Sequence, residues 1–267
     1  MGADIKQLRI RIKSVDSTLH LTKAMGLVAS SKIRKATESM NRGKEYANAL
    51  AETVTNLTSY RECLKSPYMA NRAGDRICLV VIAGDRGLAG GYNANIFRYL
   101  REFPNADIIP IGKRAYERFS GKPLSAEHFS YTDAKEISDK ICADFTNDKY
   151  DKIGVLCTKY NSLMSQEAHM VWLLPLQKAE KESSVSAIFE PDEITVLNSV
   201  IPEYVAGMII ACVKESFASE VAARRVAMDS AGKNAQEMID RLELEYNRAR
   251  QGAITQEITE IVAGSGT

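Results

Sequence analysis

The sequence predicts an α/β protein in which a small α/β domain is inserted between two long terminal helices that form an antiparallel coiled coil. Three observations carry that expectation. All seven prolines, Pro67, Pro104, Pro110, Pro123, Pro175, Pro191 and Pro202, lie between residues 67 and 202, so the first 66 and the last 65 residues are free of them. Proline breaks helix interiors because it lacks an N–H and clashes with the preceding turn. Both proline-free ends carry apolar residues at helical spacing, and the middle alternates strand-like and helix-like segments. The chain reads as an N-terminal helix over 1–66, an α/β domain over 67–191 and a C-terminal helix over 192–267.

In the first segment Ile5, Leu8, Ile12, Val15 and Leu19 are spaced 3-4-3-4, the repeat of a coiled-coil seam. Met25, Val28, Ile33, Met40, Leu50, Val54 and Leu57 continue it. Helix over 4–57 makes a rod of about 80 Å. Gly26 and Gly43 are weak points, each costing roughly 1 kcal/mol against Ala, and an ordinary bundle broken at Gly26, Gly43 and Gly232 is the plainer alternative.

The middle is expected to hold a small Rossmann-like sandwich. Residues 77–83 form a continuous apolar, β-branched run, as in a buried parallel strand. A glycine loop over 84–91 follows, then a helix over 94–101, a strand over 107–111 and helices over 113–119 and 135–145. Strands over 152–157 and 168–174 complete it. In the last segment Ile209, Val213, Phe217 and Val221 repeat every four residues, Ala235, Met238, Leu242 and Tyr246 resume the pattern, and Ile254, Ile258 and Ile261 close it. Helix over 203–263 spans about 90 Å. Pro202 fits the first turn of that helix, or lies inside one that starts just after Pro191.

Composition bounds the function. With 35 basic and 34 acidic residues the net charge is +1, which argues against a polybasic nucleic-acid binder and an acidic disordered chaperone. No uninterrupted apolar run reaches the roughly 18–20 residues of a bilayer span; the longest, 205–213, is about half that. Work at a membrane would therefore go through partners. The five cysteines (Cys63, Cys78, Cys142, Cys157, Cys212) include no C-x-x-C pair, which suits buried free thiols in a reducing compartment. The N-terminus has no apolar stretch of a secretory signal.

Chemistry-bearing patterns are sparse. The loop Gly84-Asp85-Arg86-Gly87-Leu88-Ala89-Gly90-Gly91 sits between strand and helix, as a phosphate cradle would. Yet it is followed by Tyr92-Asn93 rather than Lys-Ser/Thr, and its glycines miss the dinucleotide spacing. The expectation is a tight turn in which Asp85 and Arg86 make local hydrogen bonds. His20, His128 and His169 have no metal-ligand spacing, and no Ser sits in a G-x-S-x-G elbow, so neither metal, cofactor nor catalytic residue is expected. Lys6, Arg9, Arg11, Lys13, Lys23, Lys32, Arg34 and Lys35 make the first helix basic. Without interleaved aromatics they do not make a stacking surface for single-stranded nucleic acid.

Three stretches then become specific. The run 21–32, Leu-Thr-Lys-Ala-Met-Gly-Leu-Val-Ala-Ser-Ser-Lys, resembles a signature of the gamma subunit of F-type (proton-translocating) ATP synthase, bacterial type. The run 245–264, Glu-Tyr-Asn-Arg-Ala-Arg-Gln-Gly-Ala-Ile-Thr-Gln-Glu-Ile-Thr-Glu-Ile-Val-Ala-Gly, resembles a second, and Asp85 to Asn93 a third. They occur in the family's order and span the chain. The resemblance implies a central rotor stalk: the paired helices form a shaft within a ring of three alpha and three beta subunits. The α/β domain forms a foot beside the epsilon subunit, above the membrane c-ring. Proton flow turns the ring and the shaft, which drives the beta sites through different nucleotide affinities; catalysis lies in beta. It also implies a peripheral protein on the cytoplasmic face of the cell membrane, with no nucleic acid and no direct membrane insertion.

Residue by residue, the resemblance implies that Lys23, Met25, Arg224, Gln251, Thr255 and Glu257 contact beta, and that Phe189, Glu190 and Asp192 lie on the part of the foot that meets the c-ring. Gly26 stands where a larger residue is usual, Arg225 follows Arg224, Gly252 follows Gln251 and Ala89 replaces a frequent cysteine. The paired-cysteine regulatory insert of chloroplast members is absent, so redox gating is not expected. The small residues 263–267 suit a bearing tip. The rival readings are a nucleotide-binding α/β enzyme with coiled-coil arms, which predicts saturable nucleotide binding, and a coiled-coil scaffold for nucleic acid, which predicts salt-dependent binding.

Overall fold

A computed structural model describes residues 2–179 and 189–264 of the chain. The element order is α1 (Gly2–Leu57), β1 (Ile77–Ile82), α2 (Tyr92–Tyr99), β2 (Asp107–Ile111), α3 (Lys113–Phe119), α4 (Tyr131–Thr146), β3 (Lys152–Tyr160), β4 (Gln166–Leu174) and α5 (Glu193–Gly264), with short 3-10 turns between. Both terminal helices run without a break, so the glycine-broken bundle is excluded. Helix α5 begins at Glu193 and carries Pro202 in its interior. By its contacts the chain divides across these helices: one unit is Met1–Ala29 with Arg224–Thr267, the other Ser30–Ala223.

In the first unit the helices pair antiparallel. A Cβ on Gly26 would lie 3.7 Å from Met228 Cβ, Gly232 faces Thr22 and Leu19, and Leu19 packs with Ala235, Ile239 and Val15. The buried line on α1 passes through Leu19, Thr22 and Ala29, not Val28, which is 53% exposed. Met238 is likewise exposed and Ile239 takes its place. The expected seam was drawn through the larger apolar residues. The observed one mixes large residues (Leu19, Met228, Ile239, Leu242) with small ones (Gly26, Ala29, Gly232, Ala235), and the small ones let the two helices approach closely. Gly26, read as a weak point, is therefore a contact position.

The larger unit is built on a four-stranded sheet of order β2-β1-β3-β4. β1 pairs parallel with β2 and β3, and β4 closes the far edge antiparallel to β3. β1 is central and its residues from Cys78 to Ile82 are all buried, which its continuous apolar run requires. Alternate residues face opposite layers. Val80, Ile82 and Val155 point to a core shared with Ile141 and Phe145 of α4, Val54 and Leu57 of α1, and Leu197, Ile201, Val205 and Ile209 of α5. Leu79, Val81 and Leu156 point the other way, to Ile96 and Leu100. α1 and α5 remain antiparallel neighbours here: Gly43 lies against Ala211 and Lys214, and Gly207 against Leu50 and Tyr46.

Helix α5 contains an 18-residue window of mean hydropathy 1.7, apolar and long enough to cross a bilayer by composition, although no single run suggested it. Its apolar side chains have another use, since 56% of that window is buried inside the protein. All five cysteines are free and buried.

Candidate functional site

The glycine loop after β1 was the one feature with the setting of a phosphate cradle. Its interior is occupied by the protein itself. A Cβ on Gly84 would come within 2.8 Å of the Glu220 carboxylate carbon, and Glu220 is 2% exposed. A carboxylate at that place repels a phosphate rather than binding one. The Gly84 N–H donates to Asn93 Oδ1 at 2.9 Å. Tyr92, buried at the mouth of α2, donates its hydroxyl to the Ser216 carbonyl at 3.0 Å. Burial, then the Glu220 charge, pushes the Tyr92 phenol up.

Asp85 makes the hydrogen bonds expected of it, but with distant residues. Its Oδ1 accepts from the N–H groups of Lys113 (3.0 Å) and Ala126 (3.1 Å). Its Oδ2 accepts from Ser125 Oγ (2.7 Å) and the Glu127 N–H (2.8 Å). Burial alone would raise this carboxyl, yet the four bonds together hold it below its usual range. Arg86 reaches Glu127 at 3.2 Å, and Glu127 also accepts from Lys32 of α1. The Lys32 bond is the main cause of the lowered Glu127 carboxyl. The loop is thus a structural knot joining three segments.

Among the described residues no group of three or more His, Cys, Asp or Glu side chains is placed to hold a metal ion. His20 lies 3.6 Å from Asp16 on the exposed face of α1. His169 stands against Cys157, 3.7 Å from its Sγ, and burial lowers its basicity.

The residues expected to meet other subunits fall in two places. Lys23, Gln251, Thr255 and Glu257 are exposed, and Met25 and Arg224 are half-buried, all in the smaller unit. Thr255 donates its hydroxyl back to the Gln251 carbonyl at 2.9 Å. Around them lie apolar side chains that are exposed among the described residues: Leu21, Leu27 and Val28 on α1, and Ile254, Ile258, Ile261 and Val262 on α5. Ile254, Ile258 and Ile261 were expected to close the seam; every described residue from 254 to 264 is instead exposed. Of the small-residue tip, 265–267 lies outside the described residues.

Phe189, Glu190 and Asp192 lie together at the start of α5. Phe189 packs edge-on against Tyr60, ring centroids 5.4 Å apart, and Glu190 is exposed. Asp192 caps the helix, its carboxylate accepting from the Thr195 N–H and hydroxyl at 2.9 Å each. Sequence reasoning missed Glu215 and Glu220. Their signal was present: two carboxylates and two serines sit inside the apolar stretch 209–223, where a purely packed helix would carry none.

A family model described as ATP synthase matches residues 4–267. The ATP synthase gamma chain of Ruminococcus albus is 39% identical, with 98% of each chain covered. A gamma chain of Acetobacterium woodii described as sodium ion specific is 35% identical, with 99% of each covered. In structure the chain is similar to one from the Euglena gracilis mitochondrial ATP synthase OSCP/F1/c-ring assembly. That likeness has a TM-score of 0.68 at 20% identity and covers 98% of this chain and 94% of the other. A chain of the Tetrahymena thermophila central stalk and c-ring gives a TM-score of 0.61 at 21% identity, covering 79% and 99%.

Proposed function

The chain belongs to the ATP synthase gamma-chain family, and from that premise we propose that it is the central rotor stalk coupling rotation of a membrane c-ring to the conformational cycle of catalytic beta subunits. The observation that carries this reading is the bare end of α5. Ile254, Ile258, Ile261 and Val262 are 47–69% exposed among the described residues. Such a row of apolar side chains marks a surface that a partner encloses. A shaft turning within a ring of three alpha and three beta subunits supplies that enclosure. It also explains why exposed polar groups, worth roughly 0–1 kcal/mol each in contact, surround the row: weak contacts do not hold one angle.

In this reading the chain is a non-catalytic subunit and ATP chemistry takes place in beta. Lys23, Met25, Arg224, Gln251, Thr255 and Glu257 contact beta. The foot stands beside epsilon and above the c-ring, with Phe189, Glu190 and Asp192 on the part that meets the ring; Asp192 also caps α5. The segments 1–66, 67–191 and 192–267 act as first shaft helix, foot and second shaft helix. The protein sits peripherally on the cytoplasmic face of the cell membrane. The filled glycine loop disfavours the nucleotide-binding enzyme with coiled-coil arms.

Reconstitution with purified alpha and beta subunits tests the reading. The expected product holds one copy of this chain per three alpha–beta pairs and sustains faster ATP hydrolysis than alpha–beta alone. Within it, Arg224→Ala and Gln251→Ala should lower turnover without preventing assembly. Absence of a complex, or of any gain in turnover, refutes the proposal.

A further inference from the structure

The end of β3 projects past its neighbour. β1 follows β3 only as far as the Val81–Leu156 pair, while β4 continues alongside to the Tyr160–Gln166 pair. The β1-side edge of residues 158–160 thus has no strand to bond with. In a strand, one residue turns its N–H and C=O to the same edge, and alternate residues repeat this. Thr158, which is buried, and Tyr160, which is half-buried, therefore present backbone groups with no strand partner, an expensive state for a buried group if left so.

Side chains of α5 fill that edge. Ser216 Oγ accepts from the Thr158 N–H at 3.0 Å, and Ser219 Oγ donates to the Thr158 carbonyl at 3.3 Å. Glu215 Oε1 accepts from the Tyr160 N–H at 2.9 Å. Lys44 of α1 donates to the same Glu215 oxygen at 2.7 Å. Ser216 and Ser219 are fully buried and Glu215 is 9% exposed. Three side chains on one helix thus complete a strand's ladder, and Glu215 joins the sheet, α5 and α1 at a single atom. Apolar packing alone lets a helix slide over a sheet, because dispersion and the hydrophobic effect are not directional. Directional bonds to the strand's backbone set the register of helix on sheet.

We infer that Glu215, Ser216 and Ser219 are positioning residues for energy coupling: they lock the foot sheet to α5 so that torque entering at the foot reaches the helix without slip. The inference rests on the rotor reading. Its test uses the whole ATP synthase in inverted membrane vesicles, with Ser216→Ala plus Ser219→Ala, with Glu215→Gln, and with Ser219→Thr as the conservative control. Three quantities are measured: ATP hydrolysis, ion uptake per ATP (protons by dye quenching, sodium by isotope in parallel), and amide exchange at Thr158 and Tyr160.

The expected result for the double variant is hydrolysis within about twofold of wild type, ion uptake per ATP reduced severalfold, and faster exchange at Thr158. Ser219→Thr should restore uptake. Faster exchange with unchanged uptake per ATP would overturn the inference, since the bonds would then serve stability alone. A double variant that fails to assemble is replaced by Ser219→Ala, judged by the same readouts. If wild-type vesicles show no hydrolysis-driven uptake dependent on this chain, the rotor reading itself fails, and the inference with it.

Discussion

Replacing Asp85 tests whether the glycine loop is a structural knot. Asp85→Ala removes four accepted hydrogen bonds, three of them from backbone N–H groups on the segments that begin at Lys113 and Ser125. Hydrogen bonds to a charged group contribute about 1.5–3 kcal/mol each. Neighbouring bonds do not add independently, and the half-exposed site lets water replace some, so a net loss of about 3 kcal/mol is expected. Asp85→Asn separates charge from geometry. Its amide oxygen can still serve Lys113 and Ala126, and Ser125 can turn its hydroxyl to accept. Its NH2, however, would face the Glu127 N–H, donor against donor, which costs about 1–2 kcal/mol. The assay is urea unfolding followed by fluorescence. Trp172 is the chain's only tryptophan, lies in the same unit and stacks edge-on with Phe103 at 5.9 Å. With a slope of roughly 3 kcal/mol per molar urea, the midpoint should fall by about 1 M for Asp85→Ala and by about 0.3–0.7 M for Asp85→Asn. Because the native carboxyl lies below its ordinary value, its stabilisation is present above about pH 3.9 and lost as pH falls through the native value. The gap between wild type and Asp85→Ala should therefore close in acid. An Asp85→Ala protein within 0.3 M of wild type, or an Asn variant as weak as the Ala one, would refute the reasoning.

Further outcomes follow from the same geometry. Asp151, bonded through both oxygens to the Arg76 guanidinium and to its N–H, is held down at about 2. Its contribution is complete above the unfolded carboxylate value and vanishes as pH falls through about 2, so Asp151→Asn should shift the acid-unfolding midpoint upward, measured by Trp172 fluorescence against pH. Gly26→Ala should stabilise the smaller unit by about 1 kcal/mol, since the added Cβ meets Met228 at an ordinary 3.7 Å; slower amide exchange near residue 26 checks it. Gly112→Ala should destabilise by more than about 3 kcal/mol, because φ is +91° and the new Cβ would lie 2.0 Å from the Ala83 carbonyl oxygen; loss of soluble folded protein or a sharply lowered urea midpoint is the readout. Ile258→Ser with Ile261→Ser should leave the isolated chain's stability unchanged, since both side chains are exposed, but weaken its binding to alpha–beta, measured by native mass titration.

Much of the architecture was legible because it follows from local chemistry. Absence of proline marks where a helix can run on, and a continuous β-branched run such as 77–82 is stable only as a strand covered on both faces. The four strands and the helix over Lys113–Phe119 therefore appear where periodicity and turn residues placed them. The resemblance carried by 21–32 and 245–264 likewise required only the order of residues. Other properties depend on which residues meet across the fold. Gly26 and Gly43 looked like breaks by helix propensity, yet they are where two helices touch, and packing outweighs a cost of about 1 kcal/mol. Val28 and Met238 looked like seam residues by hydrophobicity, but the angle at which α1 and α5 face each other exposes them and buries Ala29 and Ile239. Pro202 was compatible with two helix starts, and the core around Leu197 and Ile201 selected the earlier one. The buried carboxylates of Glu215 and Glu220 were visible as letters. Their roles, completing the edge of β3 and filling the loop at Gly84, arise from residues more than fifty positions away in the chain. Local sequence sets what each segment can become; only the tertiary contacts decide which of its faces is buried and which polar groups are thereby paired.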